Sequence, residues 1–482
     1  MSTGNFWDLN VWSLIILVGY LLVSMLLANL FKKSIGFLRK SLIPTSVLGG
    51  IILLVIASVY KLITGEIFFN LEIFGGNGVE TLEILTYHGL GIGFIAQTMK
   101  PAVRRFDKKR NGEILDTGLT TVSGYLIQAI FGIGITIGLS FLVANLIPAA
   151  GTILCFGYGQ GTGQALNYGN IYEQDFGFVG GRNFGLTVAA LGFLSASIGG
   201  VIYLNYLQRK GKIKVSEEEV TKAINMEEVQ GHDEIPMNGS MDKLSVQIAI
   251  VLAVYAISFG IMFGLGSLIP GLRSIMFGFN FLIGVLVATL LKNILNFLKK
   301  KKVVKKEYVN GFLMNRISGF AFDMMIVAGI AAIQIDLIAQ YWYTLLILGV
   351  VGAVITFIYV KFVCKKLFGE YPYEQFFMMY GMLTGTASTG MILLREVDAE
   401  YTTPAADNLV YQNLPAIVFG FPMMLVATRA PSNGLTSALI ALGICVAYFV
   451  VLNIILFRRQ IFKKKTKVEE APAEQSQSEV SE

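Results

Sequence analysis

The sequence predicts an all-α membrane protein built as an inverted-topology repeat, with five transmembrane helices plus a re-entrant hairpin in each half and one extra C-terminal helix. Three observations predict it. Apolar runs of about twenty residues recur along the chain, basic residues collect in particular connections between them, and two apolar stretches at matching places are interrupted by Gly and Thr. Of the 482 residues, 54% are hydrophobic and 15% charged. A helix of roughly 20 apolar residues crosses a ~30 Å hydrocarbon core, and a water-soluble domain has no use for so many such runs.

In chain order the expected crossings are residues 11–31, 43–64, 81–99, 117–147 and 178–207, then 244–268, 275–298, 312–338, 341–363 and 409–428, with 434–457 as the additional helix. The first lacks a basic segment before it and a small-residue cleavage site before Lys32, so it is expected to stay as a crossing instead of acting as a secretory signal. Cys155, Cys364 and Cys445 show no paired spacing, which supports neither a disulfide framework nor a zinc site; packing is the expected role. The net charge of +6 lies in short connections between apolar runs, where it reports topology and not nucleic-acid binding.

Basic clusters follow the first run (Lys32, Lys33, Arg39, Lys40), the third (Lys100, Arg104, Arg105, Lys108 to Arg110) and the seventh (Lys299 to Lys302, Lys305, Lys306). The positive-inside rule puts these in the cytoplasm, with the N-terminus outside and the C-terminus inside. The connection from Gly65 to Glu80 holds Glu66, Glu72 and Glu80 with no Lys or Arg, which suits the outer side.

The interrupted stretches AAGTILCFGYGQGTGQ (149–164) and FFMMYGMLTGTASTGMILL (376–394) are expected to dip into the membrane and return, as hairpins at about 149–177 and 371–395. Full crossings would send the basic residues around Arg209 and Lys299 outside. The domain reading is then a first repeat at 11–207, a cytoplasmic linker at 208–243 whose SEEEV and NMEEV stretches suit a short surface helix, a second repeat at 244–428, the helix 434–457, and a cytoplasmic tail from 458 to 482. Broken hydrophobic segments at corresponding repeat positions point to a transporter's binding site.

In the first hairpin Gly157, Gly159, Gly161 and Gly163 alternate, freeing backbone groups from helix geometry, with Thr162 among them. In the second, Thr384, Thr386, Ser388 and Thr389 add hydroxyls to the break. Hydroxyl and carbonyl oxygens suit a hard cation such as sodium, and helix N-termini attract a carboxylate. The structural alternative is close helix packing through small residues. Arg182 and Asn183 open the helix after the first hairpin; Arg182 either pairs with a substrate carboxylate through its planar fork or snorkels to the interface. Arg395 at the end of the second hairpin carries the same pair of readings. Asp323 is an acidic residue inside an apolar run and is read either as a sodium ligand, with Thr162, Thr386 and Ser388, or as a partner of Arg316. Asn413, at the position corresponding to Asn183, either orients a ligand or joins helices. His88 lacks a ligand cluster and reads as a packed histidine, while Trp7, Trp12, Tyr341 and Trp342 suit interfacial anchoring.

FLRKSLIPTSVLGGIILL (37–54), GYGQGTGQAL (157–166), FGLTVAALGFLSASIGG (184–200) and the second hairpin together resemble the bacterial sodium/glutamate symporter family over most of residues 11–428. The carriers of the likeness are Gly159, Gly161, Thr162 and Gly163 in the first hairpin and Ile43, Pro44, Val47, Gly49 and Gly50 before it. The resemblance implies a homodimer with a scaffold and a mobile transport domain that contains both hairpins, moving sodium and L-glutamate or a related small carboxylate in an elevator-like way. No cofactor is expected beyond sodium as the coupling ion. A carrier or exporter for another organic anion, or a channel, remains the alternative. An intramembrane enzyme would need clustered nucleophile and base residues, and two histidines, one of them in the linker, do not supply them.

Overall fold

A computed structural model describes residues 5–101, 108–213, 234–237, 240–270, 273–304, 306–399 and 401–461. The expected surface helix in the linker, Arg104, Arg105, Lys214 and Lys305, and the tail beyond residue 461 lie outside the described residues. Among the described residues the elements are helical, and pairing of extended backbone is limited to an isolated bridge between Glu234 and Glu307.

The long helices are α1 (Leu9–Ser34), α2 (Thr45–Thr64), α3 (Gly78–Met99), α4 (Lys108–Leu139), α5 (Ile153–Phe176) and α6 (Gly181–Arg209), followed by α7 (Lys243–Leu268), α8 (Asn280–Lys300), α9 (Gly311–Ala331) and α10 (Trp342–Leu367). They continue with α11 (Pro372–Thr384), α12 (Ala387–Arg395), α13 (Ala405–Tyr411), α14 (Asn413–Arg429) and α15 (Leu435–Leu456). Pro44 precedes α2, where its fixed φ of −56° suits a helix start, and Gly65 ends α2 in the left-handed region at φ 78°.

Among the described residues nine helices are long and apolar enough to cross a membrane, and ten if α13 and α14, bent by 51° at their junction, count as one span. Of the eleven expected crossings, the one at 81–99 falls outside that count and the one at 409–428 enters it as the bent pair. Residues 81–99 do form α3, yet it carries Glu80, Glu83, His88 and Gln97 and is enclosed by protein: a Cβ at Gly89 would meet the Ala321 carbonyl at 2.9 Å, and one at Gly93 the Phe322 ring at 2.5 Å. A helix with protein on most sides has no need of an apolar surface all round. Tyr341 is also corrected. It is fully buried, whereas Trp7, Trp12 and Trp342 are exposed as anchoring requires.

Both interrupted stretches fold back on themselves. In α5 the turn is Gly161, at φ 79° and ψ −170°, and the two arms touch where Phe156 stacks on Tyr168 with ring centroids 3.6 Å apart. Its two ends lie together, since the Tyr341 hydroxyl reaches the carbonyls of both Asn145 (3.3 Å) and Val179 (3.0 Å). The second break is Gly385–Thr386 between α11 and α12; a Cβ at Gly381 would lie 2.8 Å from the Gly390 Cα, so the arms meet at glycine.

Helix α4 spans both roots. Near its C-terminal end Thr136 donates to the Pro148 carbonyl (2.7 Å) and accepts from the Gly151 N–H (2.9 Å) beside the first hairpin. Near its N-terminal end Glu113 accepts from Tyr371 (2.8 Å) and Lys109 pairs with Glu370 (2.8 Å) beside the second. Between them Gln128 donates to the Leu383 carbonyl (2.8 Å) and to Thr356 (2.9 Å). The hairpins therefore approach from opposite ends of one helix. Helix α15 packs on α4 as well, and just past it Arg458 pairs with Asp116 at 2.8 Å.

Candidate functional site

The tips of the two hairpins converge. A Cβ placed on Gly161 would lie 3.1 Å from Thr386 Cγ2 and 3.7 Å from the Gly385 carbonyl oxygen, so the site's centre is a contact between two chain reversals. Only glycine reaches the φ and ψ of residue 161 without strain, which is why the sequence turns there. Behind the tip, Thr162 is fully buried and donates to the Met325 carbonyl (3.2 Å), fastening the hairpin to α9. Gly163 leaves room for the Met325 sulfur and Leu90, each within 3.0 Å of where its Cβ would stand.

Beside the tips is a cavity of about 100 Å³. Gly159 and Gln160 line it from the first hairpin and Thr386 and Ala387 from the second, with Gln97 from α3, Tyr125 from α4, Met325 from α9, and Gln412 and Asn413 at the α13–α14 bend. Its apolar wall includes Phe94, Phe281, Phe322 and Met382. Among the described residues that line it there is no Asp, Glu, Lys, Arg or His. Its polar groups are hydroxyls and carboxamides. Helix α12 begins at the cavity with no side chain capping its N-terminus, so its first N–H groups, at the positive end of the helix, are available to an anion.

The structure sorts the expected site residues into two groups. Gly159, Thr386 and Asn413 line the cavity; Gly161, Thr162, Gly163 and Thr389 build its tips, with the Thr389 hydroxyl 3.4 Å from that of Thr386. The others are elsewhere. Arg182 pairs with Glu83 at 2.7 Å and Glu173 at 3.8 Å, next to the root of the first hairpin. Asn183 accepts from the Gln334 N–H at 2.6 Å, just beyond the end of α9. Ser388 is exposed, one residue past the lining. Arg395 is exposed at the foot of α12, near Lys32 and Glu396. Asp323 is half-buried on α9, two residues before Met325, and faces the buried Ser46 hydroxyl on α2. Arg316 stacks over Phe312, at 5.0 Å from the ring centre.

Residue-by-residue reading missed Gln97, Tyr125 and Gln412. Gln412 was findable as a second carboxamide beside Asn413 in an otherwise apolar run; Gln97 and Tyr125 are single polar groups on long helices and carry no such signal. His88 is hydrogen-bonded to Tyr255 through Nδ1 at 2.7 Å.

Compared with known proteins, the family described as sodium/glutamate symporter matches residues 8–391, which contain the first hairpin, the second as far as the middle of α12, and the meeting point of their tips. The chain belongs to the sodium/glutamate symporter family. No curated protein and no solved structure matches it. As a family member it is a multi-pass membrane transporter and not an enzyme, with sodium as the coupling ion and glutamate as the substrate that the family implies. The match stops at residue 391, so Gln412, Asn413 and the rest of the α14 wall lie beyond it.

Proposed function

We propose that this symporter carries L-glutamate or a related small carboxylate with sodium, binding both at the hairpin tips and moving them by an elevator-like displacement. The observation that carries the reading is the convergence of Gly161 and Thr386 at an uncharged, hydrogen-bonding cavity within a chain of this family. Broken helices that expose backbone groups at their tips are where secondary transporters hold substrate and ion. In this reading the α12 N-terminus, Thr386 and Asn413 receive the carboxylate, Gly159, Gly161 and Gly163 let the backbone approach it, and hydroxyl and carbonyl oxygens of Thr162, Thr386 and Thr389 offer sodium its ligands, with Asp323 as the nearby negative charge.

Two further features support the mobile-domain part. The hairpins root at opposite ends of α4, as an inverted repeat of 11–207 against 244–428 requires. A smaller apolar cluster, built from Ile95 and Met99 of α3, Val251 and Val254 of α7, Ala288 of α8 and Met314 of α9, is distinct from the large cluster around the hairpins, with α3, α8 and α9 contributing to both. The same reading has the protein as a homodimer in a bacterial inner membrane, N-terminus outside and C-terminus cytoplasmic. Transport of a different organic anion is the second reading, favoured because one wall of the cavity lies outside the family match.

Reciprocal binding tests the coupling. Raising sodium is expected to tighten glutamate binding to the purified protein, and saturating glutamate is expected to tighten sodium binding by the same factor. Glutamate affinity that is indifferent to sodium would overturn the symport reading.

A further inference from the structure

We propose that the Gln412–Asn413 pair selects the substrate's distal group and does so as a hydrogen-bond donor, which favours a ligand that ends in a carboxylate over one that ends in a carboxamide or an ammonium. The proposal rests on the reading of the cavity as the substrate site.

The pair stands at the 51° bend between α13 and α14, a third broken helix at the same cavity. Gln412 Nε2 donates to Asn413 Oδ1 at 3.1 Å and approaches the Met382 sulfur on α11 at 3.3 Å. That bond fixes which way the Asn413 amide faces. A carboxamide has one acceptor oxygen and one donor NH₂, and with Oδ1 turned to Gln412 the group that Asn413 has left for the cavity is its NH₂. Gln412 is only 1% exposed and its Oε1 has no hydrogen-bond partner, so the pair is not held by a network that would satisfy it without a ligand. Interhelical glue is the competing role, but among the described residues the Asn413 side chain is bonded to its own neighbour and to no other helix.

The surroundings make this polarity decisive. The cavity wall carries no charged side chain, so discrimination between ligands of equal size rests on where donors and acceptors point. A donor facing a carboxylate oxygen gains a charge-assisted bond, whereas an ammonium in its place leaves two donors opposed. Residues 412 and 413 lie beyond the family match.

The test is a binding comparison on the full-length protein in proteoliposomes with saturating sodium, measuring L-glutamate, glutarate and L-glutamine. Asn413→Asp keeps the size and replaces the donor with an anionic acceptor. The glutamine-to-glutamate affinity ratio is expected to rise about tenfold or more, with glutarate weakening alongside glutamate. Gln412→Leu frees the Asn413 amide to turn, and the ratio is expected to move the same way by a smaller factor. Equal weakening of all three ligands in Asn413→Asp, or an unchanged ratio in Gln412→Leu, would overturn the proposal in favour of a structural role. If the wild-type protein binds none of the three with sodium, the substrate reading itself fails and the selection proposal falls with it; binding by the wild type separates the two failures.

Discussion

At the scale of single residues, Gly161 is the most constrained position in the site. Its φ of 79° with ψ of −170° excludes other residue types without strain, and the neighbouring tip leaves a Cβ only 3.1 Å from Thr386. Gly161→Ala is expected to lower stability by about 1–3 kcal/mol and to reduce uptake more than that loss of folded protein explains, read from a thermal melt and a transport assay on the same sample. Arg182 shows why residue roles were only partly legible. An arginine at a helix start near a glycine-rich break reads either as a carboxylate ligand or as an interfacial cation, and its partner Glu83 is 99 positions away in the chain, where nothing local announces it. Removing the cation leaves two partly buried carboxylates facing each other, so Arg182→Ala is expected to cost about 1–3 kcal/mol. Removing Glu83 as well is expected to recover part of it, with glutamate affinity unchanged in both variants. A selective rise in KM for glutamate would instead return Arg182 to the substrate site.

At the scale of elements, the two hairpins were legible because glycine alternation and clustered hydroxyls are local signals of a helix that breaks, and the charge pattern excluded full crossings. The bend at Gln412 has one local signal in YQNLPAIVFGF, Pro415, which has no N–H to give the Tyr411 carbonyl and suits the first turn of a new helix; that the bend meets the cavity is set by contacts distant in the chain, such as Gln412 with Met382. That protein surrounds most of α3 is likewise not announced by its sequence. The connection after the second hairpin holds a further local device. Burial alone would raise the Asp398 pKa, but the N–H and hydroxyl groups of Thr402 and Thr403 all donate to its carboxylate, and together they hold it below the usual Asp value. A depressed folded pKa contributes stability that is complete at neutral pH and is lost as pH falls through that lower value. Asp398→Asn is therefore expected to melt earlier than the wild type at pH 7, by about 1–3 kcal/mol, with the gap closing below roughly pH 4.

At the scale of the molecule, the class of fold and the family were carried by composition and by motifs inside residues 8–391, while the cavity was not, because its wall gathers residues from Gln97 to Asn413 that are adjacent only in space. The architecture joins two reversals, rooted at opposite ends of α4, over one uncharged cavity. Such a site can offer a small anion helix-end N–H groups and carboxamides, and can offer a cation hydroxyl and carbonyl oxygens. With no protein cation in the wall, the charge of an acidic substrate must be balanced chiefly by these dipoles and by the co-bound ion, and that makes sodium coupling the central claim. Uptake of labelled L-glutamate into proteoliposomes, with and without an inward sodium gradient, tests it most directly. The account predicts accumulation against a glutamate gradient only when sodium is higher outside; accumulation that is the same without sodium, or no accumulation with it, would contradict the account.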